Sequence, residues 1–380
     1  MKNAVFVLIV LPLAATAAAS TPDITEPADL AETLEPIRAE FDLPALAAAV
    51  VHNGRIIALG AVGERKYKSG VKVTTADRWH LGSCTKAMTA TLIAMLIEQG
   101  KLKWDTTLAD ALPDIPMLEA YRTVTIAHLL AHRAGLPNES WPTGKTFMDM
   151  HNLPGPPRQQ RRAYAEMILN QPPKAAPGEK YIYSNAGFAI LGVIAEEIAD
   201  TPWEELIQSM LFEPLGITTA GFGAMGSPGR IDQPWQHRPR NRLLASGKQA
   251  IEPGPFSDNP PVIGPGGIVH CAIADWAEFI ILHLENGTYN GRRIIKPETL
   301  QILREPQFGG DYAGGWHVCD RHWGGGRVFT HSGTNSMNYA VVWMAPLKRY
   351  AVLVATNQGG GKEDQALDKV ASTLIGRFKP

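Results

Sequence analysis

The apolar positions that follow Ser83 recur with a helical period. Met88, Leu92 and Leu96 fall on one face of a predicted helix, and Gly100 ends it. This pattern predicts a helix whose first turn follows directly on Ser83.

Runs typical of β-strands stand near both ends of the chain. Residues 45–51 and 55–62 flank Asn53-Gly54, a dipeptide typical of tight primed turns, and so predict a β-hairpin. Three later runs also have strand character, and a short turn joins the last two. They are residues 328–331, 339–344 and 350–355.

The middle of the chain alternates helical segments with loops rich in proline and glycine. This pattern runs from about residue 104 to residue 260 and predicts a mostly helical region. We expect helices within it at 125–134, 163–170, 185–198 and 202–210, and outside it at 30–41, 271–286, 297–304 and 367–375.

Strands near both ends, with helices between them, predict an α+β fold. One antiparallel sheet, flanked by helices and built from both termini, forms an α/β lobe from about residues 25–80 and 265–380. The helical lobe, about residues 105–260, is then an insertion. A ligand is expected in the cleft between the two lobes.

The composition is that of an ordinary globular protein, with 380 residues of which 45% are hydrophobic and 19% are charged. The formal net charge of −1 gives no electrostatic argument for a nucleic acid or an anionic membrane surface as a partner. We therefore expect no nucleic acid partner.

The first residues have the pattern of an export signal. Lys2 precedes an apolar run at 4–13, and small residues at 14–19 offer cleavage sites. The run is too short to span a bilayer comfortably, and no later stretch approaches a transmembrane span. We expect residues 1–19 to be removed, and the mature protein, without an integral membrane segment, to be periplasmic or secreted.

The three cysteines, Cys84, Cys271 and Cys319, allow at most one internal disulfide, and the sequence leaves its pairing open. Because Cys84 stands next to Ser83, a cysteine nucleophile is an alternative. One residue along a helix turns a side chain by about 100°, which points Cys84 away from the serine. We expect Cys84 to be a small buried hydrophobic residue.

Ser83 and Lys86 are the main candidates for chemistry. Three residues are roughly one helical turn, so the hydroxyl and the amine share a face at the start of the helix. A serine is a poor nucleophile until a base takes its proton, and an amine does so when its surroundings favour the neutral form. The spacing alone is not specific, because Ser69 and Lys72 repeat it in a polar turn.

Other motifs fail on their context. Residues 221–226 match a dinucleotide fingerprint as letters, but no helix pattern follows them. His128 and His132 have the i, i+4 spacing of zinc ligands, yet Leu129 replaces the glutamate of metalloproteases, which favours a structural role. The chain has no Gly-x-Ser-x-Gly motif, which argues against an ordinary α/β-hydrolase.

Two further segments fit a known arrangement when they are taken in order with Ser83-x-x-Lys86. They are Tyr183-x-Asn185 and the segment 331–333, which reads His-Ser-Gly. With them the chain resembles the serine β-lactamase and penicillin-recognising superfamily. It is most similar to the class C-like branch, which includes D,D-carboxypeptidases, D-aminopeptidases and family VIII carboxylesterases. The resemblance covers nearly all of residues 20–380 and includes the segments 128–137 and 266–269.

The resemblance implies catalytic roles for three residues. Ser83 attacks a carbonyl group to form an acyl-enzyme, Lys86 accepts its proton, and Tyr183 relays the proton to the leaving group. Amine and phenol both have ordinary pKa values near 10. A cationic cluster that favours phenolate, or burial that favours neutral amine, is therefore needed at neutral pH.

The resemblance also implies substrate-binding roles. Asn185 holds the substrate amide and positions the lysine, and the Thr334 N–H forms an oxyanion hole with the N–H of Ser83. Gly333 lets the substrate lie against its strand. His331 stands where β-lactamases of this class usually carry lysine, so the positive charge for a substrate carboxylate is only partly present near pH 7.

The implied activity is that of an exported serine hydrolase that acts on amide or ester bonds without a metal or cofactor. D-amino-acid-containing peptides are the expected substrates. A carboxylesterase or a β-lactamase of the same fold is an alternative. Two further alternatives are a penicillin-binding sensor that turns over poorly and a non-catalytic scaffold.

Overall fold

The computed structural model describes residues 26–137, 141–241 and 247–379. The predicted export signal, residues 1–19, lies outside these ranges. Within the described ranges, no helix is both long and apolar enough to cross a membrane.

The described strands form one large sheet and three small ones. In chain order they are β1 Ala28–Asp29, β2 Ala45–His52, β3 Arg55–Gly63, β4 Arg78–His80, β5 Gly221–Phe222, β6 Gln236–Arg238, β7 Gln249–Ile251, β8 Val269–Ala272, β9 Thr288–Tyr289, β10 Arg292–Arg293, β11 Tyr312–Ala313, β12 Trp316–Arg321, β13 Gly326–Thr334, β14 Tyr339–Ala345 and β15 Tyr350–Thr356.

The large sheet has eight strands in the order β1-β3-β2-β15-β14-β13-β12-β11. The edge strand β1 pairs with β3 in parallel, and the pairs β3-β2, β2-β15 and β15-β14 are antiparallel. Strands from the two ends of the chain therefore meet at β2 and β15. This mostly antiparallel sheet with flanking helices confirms the predicted α+β fold.

The helices surround this sheet and fill the middle of the chain. They are α1 Ala31–Glu40, α2 Thr85–Glu98, α3 Leu108–Ala111, α4 Ile126–Leu130, α5 Phe147–His151, α6 Pro157–Leu169, α7 Asn185–Ala199, α8 Trp203–Ile207, α9 Ile273–Leu284, α10 Pro297–Arg304 and α11 Glu363–Phe378.

Alternate residues of β2 contribute to two separate parts of the core, because successive side chains of a strand point to opposite faces. Leu46, Ala48 and Val50 pack in the layer that contains residues of α1 and α11. The alanines at 47 and 49 pack in the larger core, which includes residues of α2 and α9. The sheet is thus covered by helices on both faces.

The predicted hairpin is confirmed at β2 and β3. Asn53 and Gly54 both have positive φ values, 52° and 74°, as a primed two-residue turn requires. The predicted helix at 125–134 was too long, because α4 ends at Leu130 and His132 has a φ of 54°. The helix predicted from residue 271 begins at Ile273, after strand β8.

The three cysteines are free thiols in this structure. Cys84 and Cys271 are buried, and Cys319 is half-buried. The disulfide that the sequence allowed is therefore not formed.

Candidate active site

The predicted nucleophile lies in a tight turn that leads into helix α2. Gly82–Cys84 form a turn of 3₁₀ helix, and α2 begins at Thr85. The small sheet β4-β8-β5 holds this turn, because the Leu81 N–H donates to the Val269 carbonyl at 2.9 Å. The side chains of residues 85–94 are all buried, so α2 runs through the core.

The structure brings three of the predicted side chains into contact. Oγ of Ser83 lies 3.0 Å from Nζ of Lys86 and 2.9 Å from the hydroxyl of Tyr183. The tyrosine lies 100 positions further along the chain, just before α7. One serine oxygen therefore contacts an amine and a phenol at the same time.

The environment of Lys86 favours the neutral amine. Its side chain is fully buried, and burial lowers the pKa of the amine from 10.5 to about 7. Nζ lies 2.8 Å from Oδ1 of Asn185 and 2.7 Å from the carbonyl oxygen of Gly266. Both oxygens only accept, and a neutral amine has two N–H donors. Its lone pair is then left for the hydroxyl of Ser83.

The environment of Tyr183 has the opposite effect. Burial raises the pKa of its phenol well above the ordinary value, and the hydrogen bond to Ser83 lowers it by a smaller amount. The phenol therefore stays protonated at neutral pH and donates to the serine oxygen. Of the two routes that the sequence left open, the structure favours the neutral amine over the phenolate.

Strand β13 approaches the nucleophile turn so closely that only glycines fit at the contact. A Cβ atom on Gly333 would lie 1.9 Å from the carbonyl oxygen of Leu81 and 2.6 Å from the N atom of Ser83. A Cβ atom on Gly82 would lie 2.3 Å from the N atom of Thr334. The contact places the Thr334 amide beside the serine, as an oxyanion hole formed by these two amides requires.

His331 lies on the same strand but does not reach the cleft. Its side chain is 3% exposed, and its ring nitrogens lie 3.1 Å from the Tyr312 hydroxyl and 2.5 Å from the Ser332 carbonyl oxygen. Burial, and then the nearby charge of Lys86, lower the pKa of the imidazole to about 3. The prediction of a partial positive charge on His331 near pH 7 is therefore wrong. The geometry also does not favour a contact between this ring and a substrate.

His132 positions the segment that carries Tyr183, a role that the sequence did not reveal. Its backbone carbonyl accepts from the Ile182 N–H at 2.8 Å, and its Nδ1 accepts from the Ser184 N–H at 3.2 Å. The imidazole also packs on the Tyr183 ring, with a centroid distance of 4.4 Å. The left-handed backbone that shortened helix α4 thus turns this histidine toward the tyrosine.

A buried hydrogen bond between a histidine and a carboxylate supports the serine turn from the other side. His80 Nδ1 accepts from the Gly82 N–H at 3.1 Å, and His80 Nε2 lies 2.9 Å from Oδ2 of Asp258. The same carboxylate accepts from Nδ2 of Asn335, next to Thr334. The pair therefore links the nucleophile turn to the strand end that carries the second amide. Sequence reasoning missed it because the partners are 178 positions apart.

Cys84 does not compete with the serine as a nucleophile. Its thiol is 2% exposed and donates to the carbonyl oxygen of His331 at 3.4 Å. Burial raises the pKa of the thiol far above its ordinary value, so the reactive thiolate does not form at neutral pH. The buried role predicted for Cys84 agrees with this environment.

A cleft of about 550 Å³ opens at the serine. Its described lining includes Ser83, Asn185, Gly266 and Thr334, and it also includes aromatic residues. A larger depression of about 830 Å³ lies between α1 and β3 and shares no residue with this cleft. Only the smaller cleft contains the chemical groups described above.

The described residues contain no group of three or more His, Cys, Asp and Glu side chains placed to hold a metal ion. His128 and His132, which have the spacing of zinc ligands, have separate partners. Nδ1 of His128 lies 2.9 Å from the Thr125 hydroxyl at the start of α4, and His132 contacts Ser184.

We predict that Gly333→Ala lowers both stability and acylation. The added methyl group meets backbone atoms that cannot move independently, so the free energy of unfolding should fall by about 3 kcal/mol or more. Urea unfolding and the rate of acylation by a fluorescent penicillin measure the two effects.

Gly376→Ala is the matched control. Gly376 lies in α11, and a Cβ atom there meets no other atom within 4 Å. This variant should gain about 0.5–1 kcal/mol from helix propensity and keep its acylation rate. Equal stabilities of the Gly333→Ala variant and the unmodified protein would contradict the close contact.

A serine held between a buried amine and a phenol, next to two backbone amides, is an arrangement typical of a serine hydrolase. The comparisons agree with this class. The family model described as Beta-lactamase matches residues 30–376, and the chain belongs to this family of serine hydrolases.

Among curated relatives, the chain is similar to "Penicillin-binding protein 4" of Amycolatopsis lactamdurans. The two are 28% identical over 348 residues, which cover 86% of this chain and 84% of the relative. It is also similar to a "Putative D-alanyl-D-alanine carboxypeptidase" of Escherichia coli K12. That match is 28% identical over 197 residues and covers 48% of this chain and 44% of the relative.

Two solved structures share the fold. An octameric penicillin-binding protein homologue from Pyrococcus abyssi superposes with a TM-score of 0.73 at 22% identity, and covers 91% of this chain and 76% of its own. A D-stereospecific amidohydrolase from Streptomyces sp. superposes with a TM-score of 0.69 at 19% identity, over 90% and 96% of the two chains.

Proposed function

We propose that this protein hydrolyses amide or ester bonds through an acyl-enzyme on Ser83. The observation that carries the proposal is the position of one serine oxygen within hydrogen-bond distance of both Nζ of Lys86 and the hydroxyl of Tyr183. The neutral amine of Lys86 at that distance is a competent general base near pH 7.

The steps follow from the hydrogen bonds. Ser83 Oγ bonds to the substrate carbonyl carbon as its proton passes to Lys86, and the amides of Ser83 and Thr334 stabilise the oxyanion. The tetrahedral intermediate then collapses, and Tyr183 gives a proton to the leaving group. The ammonium of Lys86 restores the proton of the phenol. Water then attacks the acyl-enzyme, with the same groups as base.

Asn185 has a positioning role in this scheme. Its Oδ1 atom accepts from Lys86 and so helps to fix the direction of the lone pair of the amine. The carbonyl oxygen of Gly266 also accepts from Lys86 and helps to fix the same direction. His331, which is neutral and buried, supports the strand of Gly333 instead of holding the substrate.

We further propose that the substrates are D-amino-acid-containing peptides and that the protein is exported. The carboxypeptidase relative and the amidohydrolase neighbour support the substrate class by their names. The pattern of residues 1–19 supports export.

A substrate panel tests the proposal. It compares D-Ala-D-Ala peptides, D-amino-acid amides, p-nitrophenyl esters and a chromogenic cephalosporin, and intact-mass spectrometry follows the acyl-enzyme. We expect turnover of at least one D-amino-acid substrate and a mass increase equal to the acyl group. A fluorescent penicillin label that persists for hours without turnover of any substrate would favour the sensor, and the absence of any labelling would favour the scaffold.

A further inference from the structure

The cleft at Ser83 has one charged side chain in its described lining. Arg238 is that residue, and the described lining contains no Asp, Glu, Lys or His. Lys86 lies beneath the cleft, fully buried and bound to the catalytic groups. Within its described lining the cleft therefore presents a single permanent cation to a ligand, because a guanidinium stays charged at all physiological pH values.

The guanidinium of Arg238 has hydrogen-bond donors that no other described residue uses. Its Nε atom donates to Oε1 of Gln249 at 3.1 Å, on the neighbouring strand β7. Among the residues that the structure describes, the terminal nitrogens Nη1 and Nη2 have no hydrogen-bond partner, and no carboxylate forms an ion pair with them. The side chain is half-buried, so one end is held and the other is open to the cleft.

The strand that carries Arg238 is fixed against the oxyanion side of the site. Oε1 of Gln236 accepts from Nδ2 of Asn335 at 2.7 Å, and the His237 N–H donates to the Met337 carbonyl at 3.2 Å. Asn335 follows directly on Thr334, whose amide faces the serine. These contacts hold the strand of Arg238 next to the segment that carries the Thr334 amide.

Another part of the cleft lining is aromatic. Trp141, Phe147 and Phe256 belong to it, and the rings of Trp141 and Phe147 are 5.8 Å apart. His151 lies outside the lining and packs between the other two, with its ring 4.4 Å from that of Phe147 and 5.3 Å from that of Phe256. Phe256 is 49% exposed, which is high for a large apolar side chain. This continuous aromatic wall offers a surface to an apolar substituent.

We propose that Arg238 binds a carboxylate of the substrate, and that the enzyme prefers compounds that carry both a carboxylate and an apolar group. The inference rests on the proposed function, since it concerns the same cleft. A guanidinium with two open terminal nitrogens suits the bidentate geometry of a carboxylate. Arg238 thus supplies the positive charge that the buried His331 lacks.

A pair of reversible inhibitors tests this inference without any need for turnover. Phenylboronic acid and 3-carboxyphenylboronic acid differ by one carboxylate. In each complex Ser83 Oγ forms a bond to boron, Lys86 takes the hydroxyl proton, and boron becomes tetrahedral and anionic. Isothermal titration calorimetry gives the dissociation constants for the unmodified protein and for Arg238→Gln, Arg240→Gln and Ser83→Ala.

We expect the unmodified protein to bind the carboxylated compound more tightly than the parent compound, and Arg238→Gln to lower this ratio about tenfold. Arg240→Gln is the matched control, because Arg240 is exposed, two residues away and absent from the cleft lining. It should leave the ratio unchanged. Higher salt should lower the ratio for the unmodified protein, since a half-buried ion pair is partly screened.

The outcomes separate the two proposals. If both compounds bind in a manner that requires Ser83 but the ratio is the same with and without Arg238, the carboxylate site is wrong and the nucleophile stands. If neither compound shows binding that Ser83→Ala removes, the proposed function fails, and the carboxylate site fails with it.

Discussion

Ser83→Ala should abolish acylation and lower kcat/KM for any substrate by about 10⁴-fold or more. The reason is that no other described nucleophile occupies the position between Lys86 and Tyr183. The neighbouring thiol of Cys84 points to the carbonyl oxygen of His331 and is buried. Loss of the nucleophile in a serine hydrolase leaves only the effect of binding and of the oxyanion hole. Fluorescent penicillin labelling and ester turnover measure the loss.

The chain supplies its own control for this variant. Ser69 has the same spacing to Lys72 that Ser83 has to Lys86, but it lies in a turn before the short bridge at Lys72. Its hydroxyl accepts from the N–H of Val71, so it has a local structural role. Ser69→Ala should therefore keep full labelling. Labelling that survives in Ser83→Ala would show that the acylated residue lies elsewhere.

The rate of acylation should rise with pH through about 7 and then level off. The pKa of Lys86 is lowered to about 7, and only the neutral amine can take the serine proton. Below that pH the amine is protonated and the site is inactive, so kcat/KM falls tenfold for each pH unit. Above it the neutral form dominates. The profile of kcat/KM against pH, taken with an uncharged ester, measures this limb.

Two variants decide which group is the base. Lys86→Arg replaces the amine with a permanent cation, so the rate should fall by about 10³-fold and the limb near pH 7 should vanish. Tyr183→Phe keeps the ring and removes only the hydroxyl. It should lower the rate by about 10²-fold and retain the limb, because the lysine is still present. A limb that disappears in Tyr183→Phe and persists in Lys86→Arg would assign the base to the phenol.

The hydrophobic pattern was enough to predict much of the fold. The hairpin at Asn53-Gly54 followed from local turn chemistry, since both residues tolerate positive φ. The helix predicted at 297–304 matches α10, Pro297–Arg304, and the helix predicted at 185–198 differs from α7 by one residue. These elements have strong local signals, namely a hydrophobic period and the residues that form turns or end helices. Such signals do not depend on the rest of the chain.

Elements with weaker local signals escaped prediction. Strands β11 and β12 were missed, because Tyr312–Ala313 has only two residues and Trp316–Arg321 mixes aromatic, polar and charged ones. The pairing of β12 with β13, and of β11 with β12, decides their conformation. The predicted helix at 125–134 was too long for a similar reason, namely a contact with a distant segment. The backbone of His132 is left-handed there, and it contacts the segment around Tyr183, some 50 positions further on.

For the site, the order of short motifs identified the serine, the lysine and the tyrosine as candidates, and the fold assigned their protonation. Letters alone could not tell whether the amine or the phenol is the base, because both groups have ordinary pKa values near 10. The burial of Lys86 within helix α2 lowers one pKa, and the burial of Tyr183 raises the other. Burial depends on every element packed around a group.

The sequence by itself determined the family resemblance, the α+β class and the spacing that puts a hydroxyl and an amine on one helical turn, because these depend on residues close together or on ordered motifs. Only the tertiary structure decided that His331 is neutral and buried, that His80 and Asp258 support the serine turn, and that Arg238 is the charged residue in the described lining of the cleft. Charge and exposure are set by neighbours far apart in the chain, and a linear pattern does not contain them.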